Sequence, residues 1–495
     1  MFSLPLLKNC EQTTGKPYEK GDVGRSIKNV FTTMKEIAAD KPMLVYIVAY
    51  FFYIDGVHTI ISMSTSYGTN LGLDSAGMLL ALLLASIQMV HAQEEGGTTT
   101  TETKVYGEGD LIATSYAGGT GTKDDPWLIS NDLELAKLAH DVNNGNTKLM
   151  FADEKKYFKL TKDIDLSKGK WMPIGTWKCD KSKNDRYFAG KFNGDGHTIK
   201  NMQIEWVNAT GFEASWGLFG RLYGTSASSE DTYASVTNLI IDNAHILKKK
   251  GTAPVGSSVI KIGTVAGDMT QFAEISNIII RNSEITDNEE TYSAPNSFRV
   301  GGVIGYIDNS ESNKFRIFNI SADVDVNMLT NATLTSSNNF QATIAGGFGS
   351  VSKLAKPDNT NLVILPRNIL IHGSLKTSAT TTRCRKGSVI SSNTTAMDNF
   401  DKVNVDDQPI TSTWYYTAAN KVTGSNDYKY GTEKSIDAID ENTGMTFGKT
   451  FVDQINQYLS DKKLDRKSWA YLGKSKFTFS TVGSASIPRM HSSIG

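Results

Sequence analysis

The sequence is poor in cysteine, in proline and in net charge, and each shortage narrows the classes of protein to which the chain could belong. Its 495 residues contain three cysteines, Cys10, Cys179 and Cys384. They are far apart and odd in number, so neither a zinc cluster nor a disulfide framework is indicated. Only 11 prolines occur, which suits an extended β surface. The formal net charge of -1 gives no electrostatic case for a nucleic-acid partner.

Short motifs that carry a known chemistry are also missing. No phosphate-binding loop, zinc-ligand spacing or aspartate-rich calcium loop occurs, so we expect no cofactor and no metal site. Two pairs are candidates for catalysis: Asp163 with Asp165 on one strand face, and Asp195 with His197 beside a turn. A strand exit and a turn explain these residues without catalysis. Cys179 with His197 lacks a third, orienting group, and the sequence therefore favours a non-catalytic protein.

A glycine-rich motif recurs along the middle of the chain. Residues 190–199 alternate apolar and polar side chains around the turn Asn193-Gly194-Asp195-Gly196, a pattern typical of strand, tight turn and strand. A second motif follows, and three degenerate copies of it come later, with these positions: Gly217-Leu218-Phe219-Gly220, then Gly263 to Gly267, Gly302 to Gly305, and Gly346 to Gly349. Each copy is followed by a further apolar strand.

Those further strands share an asparagine. Asn238, Asn277, Asn319 and Asn368 lie about 40 to 50 residues apart, a period that predicts stacked repeats. A unit of two or three strands cannot bury its apolar face alone, so the units must stack on one another. Consecutive isoleucines favour parallel stacking in a solenoid over the blades of a propeller, which is the rival fold.

The predicted fold is therefore mainly β. We expect a right-handed, β-helix-like parallel β-solenoid with short helical caps, preceded by one or two hydrophobic membrane-type helices. Asn131 as N-cap and Glu134 three residues later predict one capping helix over the first coil. The side chains predicted to be buried are Phe219, Val265, Ile304 and Phe348 in a common core, with Leu239 and Ile279 also interior.

Two apolar runs near the start predict membrane insertion or export. Residues 43–63 are long enough for a membrane helix, in which Asp55 and His58 would be functional polar residues. Residues 76–92 have the apolar length and the small final residues of a secretory signal peptide, although a basic segment before them is missing. Export would require that the first run stays out of the membrane or that translation starts later, at Met63 or Met78.

Several of these motifs resemble those of a known family of surface proteins. The residues concerned are 119–122, 127–129, 157–166, 171–175, 192–199 and 217–220. They look like GLUG-motif surface proteins of Bacteroidales-type bacteria. The resemblance covers about residues 105–375, with a C-terminal continuation to 495, and it implies a surface repeat protein without an assigned chemistry. The later glycine copies depart from the strict motif, which leaves the coil boundaries open.

A second resemblance covers about residues 1–80. Residues 41–44, 49–60 and 65–74 are similar to the vacuole-effluxer-like branch of the major facilitator superfamily. A complete carrier of that family has about a dozen spanning helices in two halves. This chain has at most two hydrophobic spans, so the resemblance does not imply transport.

The chain looks like a fusion of these two sequences, either by recombination or as an assembled reading frame, and it divides into five segments. Its predicted parts are a transporter-like fragment with one hydrophobic span at 1–75, a signal-peptide-like or membrane helix at 76–92, a linker at 93–126, a GLUG-type β-solenoid at 127–395, and a truncated α+β region at 396–495.

The function predicted from the sequence is an exported, non-catalytic, adhesin-like surface module that binds glycans or surface proteins. The loops at 178–185, 226–232 and 293–297 would carry specificity. One alternative is membrane transport by a fragment of the major facilitator superfamily, and another is a polysaccharide lyase or hydrolase on a β-helix. The module would lie at the cell surface, in the outer membrane or outside the cell. If residues 43–92 remain uncleaved, it would be associated with the inner membrane.

Overall fold

The strands that the repeats predict are present, and almost all of them pair in parallel. The chain divides into Met1–Thr101 and Glu102–Gly495, and everything described here belongs to the second unit. The computed structural model describes residues 104–145, 156–175, 186–206, 213–224, 233–249, 259–287, 297–308, 315–328, 341–351, 364–377, 384–392, 404–405, 408–423 and 427–480. The predicted membrane-type helices, Asp55, His58, Cys10 and Cys179 lie outside these residues.

The strands form three parallel sheets that run along the length of the stack. The first sheet has 14 strands: β1 Trp127–Ile129, β2 Tyr157–Leu160, β3 Ile164–Asp165, β4 Lys191–Asn193, β5 Thr198–Lys200, β6 Gln203–Trp206, β9 Ala234–Asp242, β10 His245–Lys248, β13 Ala273–Asp287, β16 Phe315–Met328, β19 Ile364–Ile371, β20 Leu375–Thr377, β24 Trp414–Tyr416 and β25 Thr432–Glu433. The second sheet has five: β7 Glu213–Trp216, β11 Val259–Ile262, β14 Ser297–Gly301, β17 Gln341–Ala345 and β21 Cys384–Gly387. The third has four: β8 Phe219–Tyr223, β12 Ala266–Thr270, β15 Ile304–Asp308 and β18 Phe348–Val351.

The central coils pass through the second, third and first sheets in turn, as β11, β12 and β13 do. Equivalent strands of successive coils then pair in parallel, which confirms the parallel β-solenoid and excludes the propeller blades for the described residues. Two short antiparallel pairs lie outside the three sheets: β22 Asn404–Val405 with β23 Gln408–Pro409, and β26 Trp469–Gly473 with β27 Lys476–Phe479.

The glycine motif forms the corner between the second and third sheets. In the first copy, Gly217 and Leu218 join β7 to β8, and the later copies make the same turn. A Cβ atom at Gly302 would lie only 2.1 Å from the carbonyl oxygen of Gly346 in the next coil. A Cβ atom at Gly305 would lie 2.5 Å from the backbone nitrogen of Ile262. The motif is glycine-rich because the backbones meet too closely for a side chain.

The predicted core is confirmed, with one change. Phe219, Val265, Ile304 and Phe348 are fully buried in one continuous cluster, which also contains Leu239. Ile279 is buried too, but on the outer face of the first sheet, where a second cluster covers it. The change arises because neighbouring residues of a strand face opposite sides of a sheet.

We expect the change Gly305→Ala to destabilise the protein by about 1 to 3 kcal/mol, because the new methyl group must push two backbones apart. Gly118→Ala is the matched control, since its Cβ would meet only a Leu128 methyl carbon at an ordinary 3.7 Å. Urea unfolding followed by fluorescence measures both variants. Equal stability of the two variants would contradict the steric role of the glycine corner.

An asparagine ladder runs along the first sheet through four successive coils. Asn238, Asn277, Asn319 and Asn368 all have positive φ, between 52° and 58°, a conformation that asparagine tolerates better than most residues. Their side-chain amides donate to one another along the stack, from Asn277 to Asn238 at 2.9 Å and from Asn368 to Asn319 at 2.8 Å. The link from Asn319 to Asn277 is longer, at 3.5 Å. The predicted repeat of asparagines is therefore a hydrogen-bonded column inside the protein.

A short helix covers the first coil, as predicted. Helix α1, Asp132–Asn144, begins after Asn131, whose side-chain oxygen accepts a hydrogen bond from the backbone N–H of Glu134 at 3.0 Å. Glu134 in turn accepts from the backbone N–H of Ser130 at 2.6 Å. Residues 104–126, interpreted as part of a linker, pack here instead: Tyr106 and Leu111 are buried in the main core.

The parallel sheet continues beyond residue 395, where the sequence placed the end of the solenoid. Residues 414–416 form β24 and pair with β19, and β25 adds one more strand. Trp414 is fully buried, and its indole N–H donates to the carbonyl oxygen of Pro366. This burial provides the apolar contact that holds β24 in the sheet, and it moves the boundary to Glu433.

The last described residues pack on the outer face of the first sheet. Helix α2, Phe447–Asp461, buries Phe451, Ile455 and Leu459, which share one apolar face. Together with the β26–β27 hairpin they cover Ile240, Ile279 and Leu370. Among the described residues, no helix has both the length and the hydropathy needed to cross a membrane.

Candidate functional site

The carboxylates that the sequence singled out are engaged in local contacts. Asp163 accepts a hydrogen bond from the backbone N–H of Thr198 at 2.9 Å, and its carboxylate lies 3.3 Å from Nδ1 of His197. Asp165 accepts from the side-chain amide of Asn201 at 2.9 Å. Burial raises the pKa of Asp165, but hydrogen bonds from Asn201 and Ser167 outweigh it, and the net pKa lies below the usual value.

Asp195 lies in a turn and pairs with two lysines. Its φ is 48°, in the left-handed region, as the Asn-Gly-Asp-Gly turn requires. Its carboxylate lies 2.9 Å from Lys159 Nζ and 3.0 Å from Lys467 Nζ. It therefore joins the turn to the C-terminal segment, the part of the chain that contains α2 and the β26–β27 hairpin. Burial raises its pKa, but the two lysines bring the net value below normal. These contacts agree with the structural interpretation of Asp195.

A different set of residues, which the sequence analysis missed, lies beside the glycine corners. On the second sheet, Lys261, Arg299, Thr343 and Arg385 occupy the same register position in successive strands. On the third sheet, Arg221, Asp268, Tyr306 and Ser350 do the same. In-register neighbours in adjacent strands are about 4.8 Å apart, so the two rows run along the solenoid.

The cations of these rows lie close to tyrosine rings. The guanidinium carbon of Arg299 lies 3.9 Å from the ring centre of Tyr306, and Lys261 Nζ lies 4.6 Å from it. The guanidinium carbon of Arg221 lies 5.4 Å from the ring centre of Tyr223. On the last strand, Arg385 lies 5.9 Å from the ring centre of Tyr428 and donates a hydrogen bond to its hydroxyl at 2.6 Å. We treat the cations and tyrosines of both rows as one surface. This surface, called the arginine–tyrosine row, consists of Arg221, Tyr223, Lys261, Asp268, Arg299, Tyr306, Arg385 and Tyr428.

The row is basic. Its one carboxylate, Asp268, is buried and lies 2.8 Å from Lys261 Nζ and 3.6 Å from Arg221 Nε. Burial raises the pKa of Asp268, but the two cations outweigh it and the net pKa is lowered, so this carboxylate stays ionised near neutral pH. Within the described residues, no acidic side chain lies within ion-pair distance of Arg299 or Arg385. The row therefore carries four cationic side chains against one carboxylate.

The positions of the guanidinium groups in the row allow them to bind an extended ligand. A guanidinium on an aromatic face keeps its N–H groups at the edge, where they form paired hydrogen bonds to carboxylate, sulfate or phosphate. Arg221, Arg299, Tyr306 and Arg385 are each partly exposed. The Nε atom of Arg299 is buried and has no hydrogen-bond partner. The row can therefore bind anionic groups repeated along one line.

A second feature is a cavity of about 420 Å³ where the first sheet meets the C-terminal segment. Asp323, His372 and Asp437 are among its lining residues. Burial raises the pKa of Asp323, whereas a hydrogen bond from Tyr471 lowers the pKa of Asp437. Burial also lowers the pKa of His372 to about 4, so its ring is neutral at pH 7. Carboxyl groups with opposite pKa shifts are a pattern found in acid–base sites.

Comparisons with known proteins cover parts of the chain. No family model matches it. The uncharacterized MFS-type transporter YxiO of Bacillus subtilis is 40% identical over 87 residues, which are 18% of this chain and 20% of that protein. Halomucin of Haloquadratum walsbyi is 26% identical over 173 residues, which are 32% of this chain and 2% of that protein. The chain thus spans a fifth or less of the length of these curated relatives.

One solved structure is also similar. It is a candidate immunoglobulin A1 protease from Bacteroides ovatus, with a TM-score of 0.31 and 15% identity over 74% of this chain and 95% of that chain. The partial resemblance to a major facilitator transporter is confirmed by the match to the Bacillus subtilis protein. The resemblance to GLUG-motif proteins stays a prediction. The sheets themselves establish the class of the described residues, a mainly β protein built as a parallel solenoid.

Proposed function

We propose that this protein is an exported, non-catalytic surface module that binds glycans or surface proteins along its solenoid. The single observation that supports this function is the arginine–tyrosine row, which repeats polar and aromatic groups over successive coils. Stacked coils create long, regular surfaces that suit extended ligands. The glycine motif and the asparagine ladder have steric and hydrogen-bonding roles in the fold, and this leaves the row as the best-supported binding surface.

The proposed location is the cell surface or the extracellular space. It rests on the signal-peptide-like residues 76–92 and on the resemblance to surface proteins. The loops at 178–185 and 226–232, and residues 293–296, proposed to carry specificity, lie outside the described residues. Sequencing the mature N-terminus after expression in a Gram-negative host tests the location. A start near residue 93 would support export, and an intact N-terminus in the inner membrane fraction would contradict it.

Transport is the first alternative. The match to the Bacillus subtilis transporter favours it for one stretch only, because it covers 18% of this chain. A carrier needs many spans around a central site, whereas an exported module needs at most a cleaved one. Counting membrane spans by cysteine labelling of intact cells separates the two functions.

Hydrolysis or lyase activity on a polysaccharide is the second alternative, and the cavity beside Asp323 and Asp437 favours it. A carboxyl with a raised pKa can donate a proton, and one with a lowered pKa can act as base or nucleophile. Ser321, whose hydroxyl lies 2.8 Å from His372 Nε2, is fully buried and is therefore not an accessible nucleophile in this arrangement.

A combined binding and degradation screen of the full chain tests the proposed function. We expect binding to one or more polysaccharides or surface proteins without release of reducing or unsaturated sugar ends. Matched variants Asp323→Asn, Asp163→Asn and Asp195→Asn should leave binding unchanged. If the protein releases sugar ends, and one of these substitutions abolishes the release in a variant that remains folded, the proposed binding function is wrong and the protein is an enzyme.

A further inference from the structure

The arginine–tyrosine row also indicates which ligand the solenoid binds. We propose that it is a linear anionic polysaccharide, whose carboxylate or sulfate groups contact Arg299 and Arg385 while the chain lies along the solenoid axis. This inference rests on the proposed binding function and narrows it to one class of ligand. Three features of the row favour this ligand: the spacing of its cations, their chemical type, and the lack, among the described residues, of an acidic side chain within ion-pair distance of Arg299 or Arg385.

The spacing suits a polymer with a short repeat. Lys261 and Arg299 are in-register neighbours, and Arg385 lies two strands beyond Arg299, with Thr343 between them. Strand spacing of about 4.8 Å places these positions over roughly 14 Å along the axis. On the neighbouring third sheet, Arg221 lies one coil earlier, so the four cations span roughly 19 Å along the axis. The step from strand to strand is close to the length of one sugar ring in an extended chain.

The type of cation favours carboxylate or sulfate over neutral sugar. Three of the four cations are arginines, each within 6 Å of the ring centre of a tyrosine. A planar guanidinium held on a ring forms paired bonds to a planar or tetrahedral oxyanion and loses little side-chain freedom when it binds. Because Lys261 and Asp268 neutralise each other in the interior, Arg299 and Arg385 are the groups left for the ligand.

The rest of the chain argues against a nucleic acid as the intended ligand. The formal net charge is -1, so no long-range positive field would attract a highly charged duplex. A line of a few cations along a narrow row instead matches a chain with one charge for each sugar or each pair of sugars. Thr343, a buried neutral residue, separates Arg299 from Arg385 in the second-sheet row, so the two arginines are two strands apart.

The test measures binding of the full chain to immobilised polygalacturonate and heparin, with neutral dextran and single-stranded DNA as comparisons. We expect Arg299→Gln and Arg385→Gln each to weaken polyanion binding roughly tenfold, as the loss of one charge-assisted hydrogen bond requires. Arg299→Lys should keep the salt dependence and lose part of the affinity. The matched control is Arg281→Gln, which removes a partly exposed arginine paired with Asp242 on the first sheet.

The outcomes separate this inference from the proposed function. Weaker polyanion binding by both row variants, with the control unchanged and all melting temperatures equal, supports the anionic ligand. If Arg385→Gln unfolds because it loses Tyr428, Arg299→Gln alone decides the test. The inference would be wrong if dextran or DNA bound as tightly as the anionic polysaccharides. It would also be wrong if the row variants bound polyanions as tightly as the control variant does. Neutral glycan or protein binding that the variants do not change would still leave the proposed binding function standing.

Discussion

Replacing Asn277 by alanine is expected to destabilise the protein by about 4 to 6 kcal/mol. The side chain of Asn277 is fully buried, and both its amide N–H donors and its carbonyl oxygen form hydrogen bonds. Its amide donates to Asn238 at 2.9 Å and to the carbonyl oxygen of Lys467 at 2.8 Å. Its oxygen accepts from the indole N–H of Trp469 at 2.7 Å and from Asn319 at 3.5 Å. Alanine removes these bonds and leaves buried partners without them.

The backbone adds to this cost. Asn277 has a φ of 58°, a left-handed conformation that alanine adopts only with strain. The matched control is Asn282→Ala on the same strand, because Asn282 has a φ of 48° but is exposed and makes one side-chain bond, to Asp242 at 2.8 Å. We expect the control to lower the free energy of unfolding by about 1 to 2 kcal/mol. Chemical denaturation measures both, and equal losses would show that the ladder adds nothing beyond its backbone geometry.

The asparagine ladder shows how far the sequence could lead. A shared asparagine in each repeat was enough to predict stacking, because a regular period means equivalent positions in successive coils. The sequence did not reveal that these residues take positive φ and bond to one another inside the protein. That arrangement depends on the coils being in register, which is a property of the whole stack.

The C-terminal segment was only partly predictable. The apolar spacing of Phe451, Ile455 and Leu459 indicated the helix, since these positions share one helical face. Its partner was not evident, because the outer face of the first sheet is built from strands far away along the chain. Alternating burial on that sheet also explains why Ile279 faces α2 rather than the solenoid core.

The arginine–tyrosine row was missed for a related reason. Its members lie on separate repeats, and each one alone looks like an ordinary surface residue. A signal was present, however, beside the glycine motif. Lys261, Arg299 and Arg385 each stand two residues before a glycine, namely Gly263, Gly301 and Gly387. Arg221 and Tyr306 each follow the second glycine of a copy. Alignment of the repeats on their glycines would have placed these residues side by side.

The change Glu274→Ala is expected to destabilise the protein by about 3 to 5 kcal/mol, because it removes the buried carboxylate that contacts the buried Arg316 and the partly buried Arg466. The Glu274 carboxylate accepts from Arg466 Nη2 at 2.5 Å and from the hydroxyl of Ser276 at 2.6 Å, and Arg316 Nε lies 3.4 Å away. Arg466 belongs to the C-terminal segment, so this pair joins that segment to the first sheet. The matched control is Asp453→Ala, which removes an exposed ion pair with Lys449 and should change stability by less than about 1 kcal/mol.

The same contact predicts how stability depends on pH. Burial raises the pKa of Glu274, but Arg466 and Arg316 outweigh it, and the net pKa is lower in the folded protein. A lowered pKa means that the unfolded chain binds the proton more readily, so the stabilisation is fully present above the unfolded value of about 4.3 and is lost as the pH falls below it. Asp268 has the same direction of shift and adds to this acid sensitivity. Denaturation curves between pH 7 and pH 3 should therefore show a smaller loss of stability on acidification for Glu274→Gln than for the unchanged protein. An identical pH dependence, or a loss at pH 7 no larger than that of the Asp453 control, would mean that Arg466 does not hold the C-terminal segment on the sheet.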